Sequence, residues 1–126
     1  MKRLIVDLDN TITIHGTGTY TTVAPNVKVI EKLRLYRKMG FEIVISTSRN
    51  MRTYNGNIGK ITANTLPIIF EWLKMHDVPY DEVLVGKPWC GTDGFYIDDR
   101  AVRPDEFVKM EYSEIVNMIG SGDKQC

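Results

Sequence analysis

Four clusters of polar side chains each follow a short apolar run of the sequence, and their residue types could together act on a phosphate ester. The clusters are Asp7 with Asp9, Ser46 to Arg49, Lys87 with Pro88, and Asp98 with Asp99. They bring carboxylates, a hydroxyl group and an ammonium group to successive positions after apolar runs. A sheet with a purely structural role gives no reason for these residue types to recur there.

The carboxylates predict a cation site. Carboxylates from two separated strands, together with a backbone carbonyl, offer the hard oxygen ligands that suit Mg²⁺. Without a cation, the clustered aspartates would repel one another, and some would have to take up protons. The sequence therefore predicts Mg²⁺ as the cofactor.

Thr47 and Lys87 supply hydrogen-bond donors for the anionic oxygens of a phosphate. With a metal ion, they could hold the three oxygens of a phosphoryl group. A remaining carboxylate can attack phosphorus and form an aspartyl-phosphate. The predicted chemistry is metal-assisted phosphoryl transfer through an aspartate.

These clusters can meet only if the apolar runs are strands of one sheet. Strands are predicted at 3–8, 41–46, 83–86 and 94–98. Helices are predicted at 25–39, from near Asn64 to a point before Val78, and at 112–119. The order βαβαββα, with nearly continuous apolar strands, favours an α/β fold with a doubly wound, mainly parallel sheet and helices on both faces. In such sheets, ligands bind beyond the carboxyl ends of the strands.

Two segments are predicted to lie as loops beside that edge. Residues 10–24 hold six threonines and no helical period, which indicates a loop or small β-flap over the end of the first strand. Residues 48–60 are rich in asparagine and glycine, so they too are predicted as a loop.

Four sequence motifs stand at the predicted strand ends. They are IVDLDNT at 5–11, VIST at 44–47, Lys87, and YIDD at 96–99. In this order they resemble the four motifs of the haloacid dehalogenase (HAD) superfamily, and the resemblance covers nearly the whole chain. Within the superfamily, TSRNMRTYNGN at 47–57 and GKPWCGTDGFYIDD at 86–99 are similar to the capsular-polysaccharide biosynthesis phosphatases. The resemblance implies a HAD-like Rossmannoid fold and a phosphatase activity.

The resemblance also implies catalytic roles. Asp7 would be the nucleophile and a metal ligand, and Asp9 the general acid and base, with its backbone carbonyl on the metal. Thr47 and Lys87 would bind the phosphate. Alternation along a strand does not decide between Ser46 and Thr47, and the motif favours Thr47.

The last motif would complete the metal site. Asp98 would hold Mg²⁺, and Asp99 would be a second carboxylate there, bound directly or through water. Many members carry a further aspartate four positions later, whereas positions 102 and 103 are Val and Arg in this chain. The substrate implied is a sugar or polyol phosphate of surface polysaccharide synthesis. Candidate contacts to it are Asn10, Ser48, Arg49 and Arg52.

Spacing and composition predict a single capless domain over 1–126. Thr47 follows Asp9 by 38 residues and Lys87 follows Thr47 by 40, which the flap, helices and strands consume. A folded cap would need on the order of 40 residues more. An open site favours a homo-oligomer in which a neighbouring subunit partly covers it.

The resemblance implies a small phosphorylated metabolite as the partner, and composition gives no argument for a macromolecular one. The 16 Lys+Arg balance the 16 Asp+Glu, which gives no argument for nucleic acid or an acidic membrane surface. No apolar run approaches a membrane span, and Cys90 and Cys126 are too few for a disulfide framework. A cytoplasmic protein is expected.

Two other functions compete with the phosphatase. A phosphoaccepting receiver domain of signalling would need an aspartate at the end of the second strand, where Ser46 to Arg49 stand, and it has no use for Asp98 and Asp99. A catalytically silent HAD-like binding module could dispense with the nucleophile, whereas Asp7 is present.

Overall fold

The computed structural model describes residues 1–120, so Cys126 lies outside the described residues. Its elements are β1 (Arg3–Val6), α1 (Val27–Lys38), β2 (Glu42–Thr47), α2 (Ile58–Asn64), α3 (Leu66–Met75), β3 (Glu82–Val85), α4 (Pro104–Lys109) and α5 (Tyr112–Ile119). The chain divides into two compact units, the first being Met1–Trp89 and the second beginning at Cys90. The sheet belongs to the first unit, and α4 and α5 belong to the second.

All three strands of the sheet run parallel in the order β1-β2-β3. Ile5 pairs with Val44 across one strand boundary, and Thr47 pairs with Val85 across the other. The carboxyl ends of the strands therefore lie along one edge of the sheet. The prediction of an α/β fold with a parallel sheet is confirmed for these three strands.

The central strand β2 carries the core of the first unit. Ile43, Val44 and Ile45 are fully buried, as a parallel strand with two neighbours requires. Helix α1 contacts β2 and buries Val29 and Leu33 on one face, at the spacing of a helix turn. Asn26 caps its start, because the Asn26 Oδ1 accepts a hydrogen bond from the Val29 backbone N–H at 3.3 Å.

The flap predicted at 10–24 is a turn-rich loop held at its base. A single antiparallel bridge joins Thr13 to Pro25. The Asn26 N–H donates to the Ile12 carbonyl at 2.7 Å, and the Trp72 indole N–H donates to the Val23 carbonyl at 2.9 Å. The loop is thus fixed both to the start of α1 and to α3.

The segment between β2 and β3 holds one helix more than the sequence pattern predicts. The loop predicted at 48–60 ends early, because α2 begins at Ile58. Asn57 caps this helix, since its Oδ1 accepts from the Lys60 N–H at 3.0 Å. The helix predicted from Asn64 is present as α3, with a proline in its first turn.

The fourth predicted strand, 94–98, is wrong for this chain. These residues form neither helix nor strand, and the side chains of Phe95 and Ile97 are 76% and 89% exposed. A segment forms a strand only where its backbone pairs with a neighbouring strand. An apolar run indicates that a segment favours the strand conformation, but it does not show that a neighbouring strand is available. The second unit instead folds as α4, which the sequence pattern missed, and α5, which it predicted at 112–119.

Within residues 1–120, no helix has the length and apolar character needed to cross a lipid bilayer.

Asp81 stands just before β3 and links α1 to β2 by hydrogen bonds. Its carboxyl group should make the stability of the fold depend on pH in the acid range. Its carboxylate accepts from the Ile43 N–H at 2.8 Å and from the Arg37 guanidinium at 2.9 Å, and its own N–H donates to the Ile43 carbonyl. The hydrogen bond from Ile43, reinforced by the Arg37 charge, lowers the pKa of Asp81.

Replacing Asp81 with Asn should weaken the acid dependence of stability. Because the folded pKa is lowered, the carboxylate stabilises the fold above its unfolded pKa, and this contribution disappears as pH falls through the folded value. We expect D81N to lose less than about 1 kcal/mol near pH 7, since the group is partly exposed, and to show a flatter profile below about pH 4. Urea unfolding at several pH values measures this. The exposed Asp77 provides the matched control D77N; identical acid profiles for D81N and wild type would contradict the expectation.

Candidate active site

The carboxyl ends of the three strands bring Asp7, Thr47 and Lys87 to one place. The Lys87 ammonium donates to Oδ1 of Asp7 at 3.5 Å. The Lys87 backbone N–H donates to the Thr47 carbonyl at 3.2 Å. Lys87 follows Gly86, which lies at φ +86 with its Cα facing the Ile58 side chain so closely that a Cβ would collide with it. The positive φ favours glycine at this point, and a side chain there would also require the Ile58 side chain to move.

Asp7 is held but accessible. Its Oδ2 accepts from the Thr11 hydroxyl at 3.1 Å, while Lys87 approaches Oδ1. About a third of the side chain is exposed (36%). Two donors fix the orientation of the carboxylate without enclosing it, so a small anion can still approach it.

A tight turn after β1 sets the relation of Asp7 to Asp9. Leu8 between them is buried, and its carbonyl accepts from the backbone N–H groups of Ile12 and Thr13 at 2.9 and 3.1 Å. Asn10 occupies the left-handed region at φ 63, which asparagine tolerates better than most residues. With Leu8 anchored in the core, the two flanking carboxylates remain on the polar side of the turn.

Asp9 forms a two-point ion pair with Arg49. The Arg49 Nε donates to Oδ2 of Asp9 at 3.1 Å and Nη2 donates to Oδ1 at 2.7 Å. The Arg49 side chain is only 2% exposed, and the ring of Tyr20 from the flap lies 4.1 Å from its guanidinium carbon. Its Nη1 is buried without a hydrogen-bond partner among residues 1–120. Arg49, predicted as a substrate contact on a loop, thus binds Asp9 in this structure.

Thr47 is buried, with its hydroxyl oxygen accepting from the Arg49 N–H at 3.1 Å. The hydroxyl hydrogen is left to donate elsewhere. Ser46 points to the opposite face of the sheet from Thr47, as strand alternation requires. Thr47 shares the face of Ile43 and Ile45.

The other candidate substrate contacts lie on the turns around this edge. Asn10 is exposed and Ser48 is half-buried. The Arg52 guanidinium lies 5.8 Å from the Trp89 ring centroid. Asn50 anchors the loop after β2, because its Oδ1 accepts from the Thr65 hydroxyl at 2.7 Å.

The residues predicted as metal ligands belong to both units, Asp7 and Asp9 to the first and Asp98 and Asp99 to the second. Asp98 and Asp99 are exposed in the second unit, where the Asp98 carboxylate accepts from the Arg100 N–H at 2.8 Å. Across the part of the chain that the structure describes, no group of three or more His, Cys, Asp or Glu side chains could hold a metal ion. Binding of Mg²⁺ by Asp7, Asp9, Asp98 and Asp99 stays a prediction from the sequence.

A crystal structure from Vibrio cholerae, determined as a structural-genomics target, is closely similar to this chain. The two are 66% identical with a TM-score of 0.93, and the match covers 94% of this chain and 97% of that chain. The chain belongs to the same family as that protein. No protein-family model matches this chain, and a search of curated proteins gave no match.

The fold of this family extends to a distant neighbour. A chain of a Pnkp1/Rnl/Hen1 complex is 17% identical with a TM-score of 0.51, and the match covers 86% of this chain and 34% of that chain. At this identity the likeness concerns the fold alone.

The Asp9–Arg49 pair should stabilise the first unit measurably. Lysine keeps the charge of Arg49 but not the planar fork that bonds both carboxylate oxygens. We expect R49K to lower the free energy of unfolding by about 1–3 kcal/mol, whereas the control R52K should change it by less than about 0.5 kcal/mol. Urea unfolding of each variant, monitored by circular dichroism, gives both free-energy changes. Equal effects of the two substitutions would show that the pair does not stabilise the fold.

Proposed function

We propose that this protein is a phosphomonoester hydrolase of the HAD type that acts through an aspartyl-phosphate on Asp7. The observation that carries the proposal is the meeting of three strand ends, where the accessible Asp7 carboxylate lies 3.5 Å from the Lys87 ammonium. The Thr47 carbonyl accepts a hydrogen bond from the Lys87 backbone N–H, so Thr47 lies at the same edge. A nucleophile and two phosphate-binding donors thus share the edge at which parallel sheets bind ligands. The proposed fold is the capless, doubly wound HAD domain.

The first half of the reaction transfers the phosphoryl group to Asp7. An oxygen of the Asp7 carboxylate attacks phosphorus as the bond from phosphorus to the substrate oxygen breaks. Protonated Asp9 gives its proton to that departing oxygen, so an alcohol leaves. Lys87 and the Thr47 hydroxyl donate to the phosphoryl oxygens and stabilise the charge that the transition state spreads over them.

The second half releases inorganic phosphate. Asp9, now a carboxylate, takes a proton from water as the water oxygen attacks phosphorus, and the bond from phosphorus to the Asp7 oxygen breaks. Asp7 and protonated Asp9 are regenerated.

Arg49 affects the two halves differently. It bonds both oxygens of Asp9, at 3.1 and 2.7 Å. Such bonding orients the carboxylate that accepts a proton from water. Placing a proton on Asp9 removes the negative charge of the carboxylate and so weakens both charge-assisted hydrogen bonds from Arg49.

The proposed substrate is a sugar or polyol phosphate of surface polysaccharide synthesis, acted on in the cytoplasm. The segments 47–57 and 86–99 support this choice through their similarity to the capsular-polysaccharide biosynthesis phosphatases. A receiver domain is disfavoured because β2 ends at Thr47 and is followed by Ser48 and Arg49, with no acceptor aspartate at this point.

Phosphate release from a panel of phosphorylated metabolites tests the proposal. We expect hydrolysis of small phosphomonoesters in Mg²⁺ and its loss in excess EDTA, because the charges of Asp7 and a dianionic phosphate repel without a cation. Undiminished turnover in excess EDTA would contradict the proposed requirement for Mg²⁺. Absence of turnover on every substrate would favour a binding module.

The variants D7N and D9N should fail at different steps. D7N lacks the nucleophile, so no phosphoenzyme should form with any leaving group. D9N keeps the nucleophile but lacks the proton donor, so its rate with alkyl phosphates should fall by about 10²–10⁴-fold. With an aryl phosphate, whose leaving group needs little protonation, formation of the intermediate should survive better than its hydrolysis. Intact mass spectrometry should then show an added phosphoryl group on D9N. Phosphoenzyme on D7N, or normal turnover in both, would contradict the roles.

A further inference from the structure

Tyr20, in the flap after β1, lies against the guanidinium group of Arg49. The centroid of the Tyr20 ring is 4.1 Å from the guanidinium carbon, which is within the range of a cation–π contact. Tyr20 is 45% exposed, whereas only 2% of the Arg49 side chain is exposed. Tyr20 therefore covers the cation from the solvent side. Both residues belong to the first unit.

Water would draw Arg49 away from Asp9 if the ring of Tyr20 did not cover it. The Arg49 Nε and Nη2 donate to the two carboxylate oxygens of Asp9, whereas its Nη1 is buried without a hydrogen-bond partner among residues 1–120. A buried donor without a partner is costly, and a charged one more so. Removal of the ring would let water reach Nη1, and the guanidinium would shift toward that water at the expense of its two-point contact with Asp9.

The backbone of the flap holds position 20 in place without help from the ring. The Val23 N–H donates to the Thr19 carbonyl at 2.8 Å, and the Thr19 N–H donates to the Thr22 hydroxyl oxygen at 2.9 Å. These bonds close the turn that carries Tyr20. Loss of the ring should therefore leave the turn closed, so that a variant at this position reports on the contact with Arg49.

We propose that Tyr20 is a positioning residue for Asp9 and acts through Arg49 in the second half of the reaction. The proposal rests on the proposed function, in which the Asp9 carboxylate takes a proton from water. The carboxylate receives two charge-assisted hydrogen bonds from Arg49, and these weaken when Asp9 is protonated. By keeping water from the guanidinium, the ring preserves the orientation of the base at the step where Arg49 holds it most strongly.

The flap then affects release of phosphate more than attack on the substrate. Attack by Asp7 uses protonated Asp9, whose hydrogen bonds with Arg49 are already weakened. In this role Tyr20 contacts no reacting atom. Its loss should therefore slow hydrolysis of the phosphoenzyme and leave formation of the phosphoenzyme nearly unchanged.

Rapid-quench kinetics with para-nitrophenyl phosphate measure the two halves separately. The burst of nitrophenol reports formation of the phosphoenzyme, and intact mass spectrometry of quenched samples follows its decay. We expect Y20A to slow the decay by about 10–10²-fold and to change the formation by less than about threefold. Y20F keeps the ring and should decay within about threefold of the wild-type rate. Equal slowing of both halves by Y20A, or an unchanged decay, would overturn the proposal.

The matched control is I14A. Ile14 lies in the same flap and is 42% exposed, close to the value for Tyr20. Because no contact between Ile14 and Arg49 enters the proposal, I14A should leave both rates within about twofold of wild type. A decay slowed as much as in Y20A would show that loss of any flap side chain has this effect, and it would overturn the specific role of Tyr20.

A double variant tests the route through Arg49. R49K removes the planar fork that bonds both oxygens of Asp9 and should slow the decay by itself. If Tyr20 acts through Arg49, adding Y20A to R49K should slow the decay by less than about a further twofold. A further slowing by the full factor seen in Y20A would show that Tyr20 acts independently of Arg49, contrary to the proposal.

Proton exchange separates this proposal from the proposed function. The exchange of the Arg49 Nε–H proton with water is measured by heteronuclear NMR in the wild-type protein and in Y20A. We expect protection in the wild type and its loss in Y20A. Wild-type protein that shows this difference but hydrolyses no phosphomonoester would refute the proposed function and leave the cover of Arg49 by Tyr20 supported. Equal exchange in both proteins would overturn the proposal, whether or not the wild type is active.

Discussion

Parallel pairing along β2 is the constraint that gathers the polar residues of this protein. Because β1 and β3 both run in the direction of β2, three separate loops begin at one edge of the sheet. Burial of Ile43, Val44 and Ile45 fixes the position of β2, and the register of its neighbours follows from it. Asp7 and Lys87 are 80 positions apart in sequence but 3.5 Å apart in space for this reason.

The Asp9–Arg49 pair links this edge to the flap. Burying a guanidinium is costly, and here its Nη1 finds no partner within the described chain. Two charge-assisted hydrogen bonds to Asp9 and the ring of Tyr20 offset that cost. The position of Tyr20 in the flap and the orientation of Asp9 therefore depend on the same side chain. A substrate that moves the flap would also change the surroundings of the proposed general acid.

The sequence pattern predicts the three strands of the sheet and their polar ends because each apolar run is short and stops at a polar or glycine residue. It missed α2, since Asn57 was interpreted as a helix breaker, whereas its side chain caps a helix. The Asp9–Arg49 pair joins residues 40 positions apart, and no local pattern predicts such a contact.

The segment 94–98 shows a different limit of sequence reasoning. Its composition indicates that the segment favours pairing as a strand, but composition does not say whether a neighbouring strand is available. In the structure this segment forms no strand, and the side chains of Phe95 and Ile97 are exposed.

The stereochemical course at phosphorus tests the central claim, catalysis through Asp7, most directly. A thiophosphate monoester made chiral with oxygen isotopes is hydrolysed by the wild-type protein in isotopically labelled water, and the configuration of the released thiophosphate is determined. Two in-line displacements, first by Asp7 and then by water, each invert the centre, so the account predicts overall retention. Inversion would mean that water attacks the substrate directly, and it would contradict an aspartyl-phosphate intermediate.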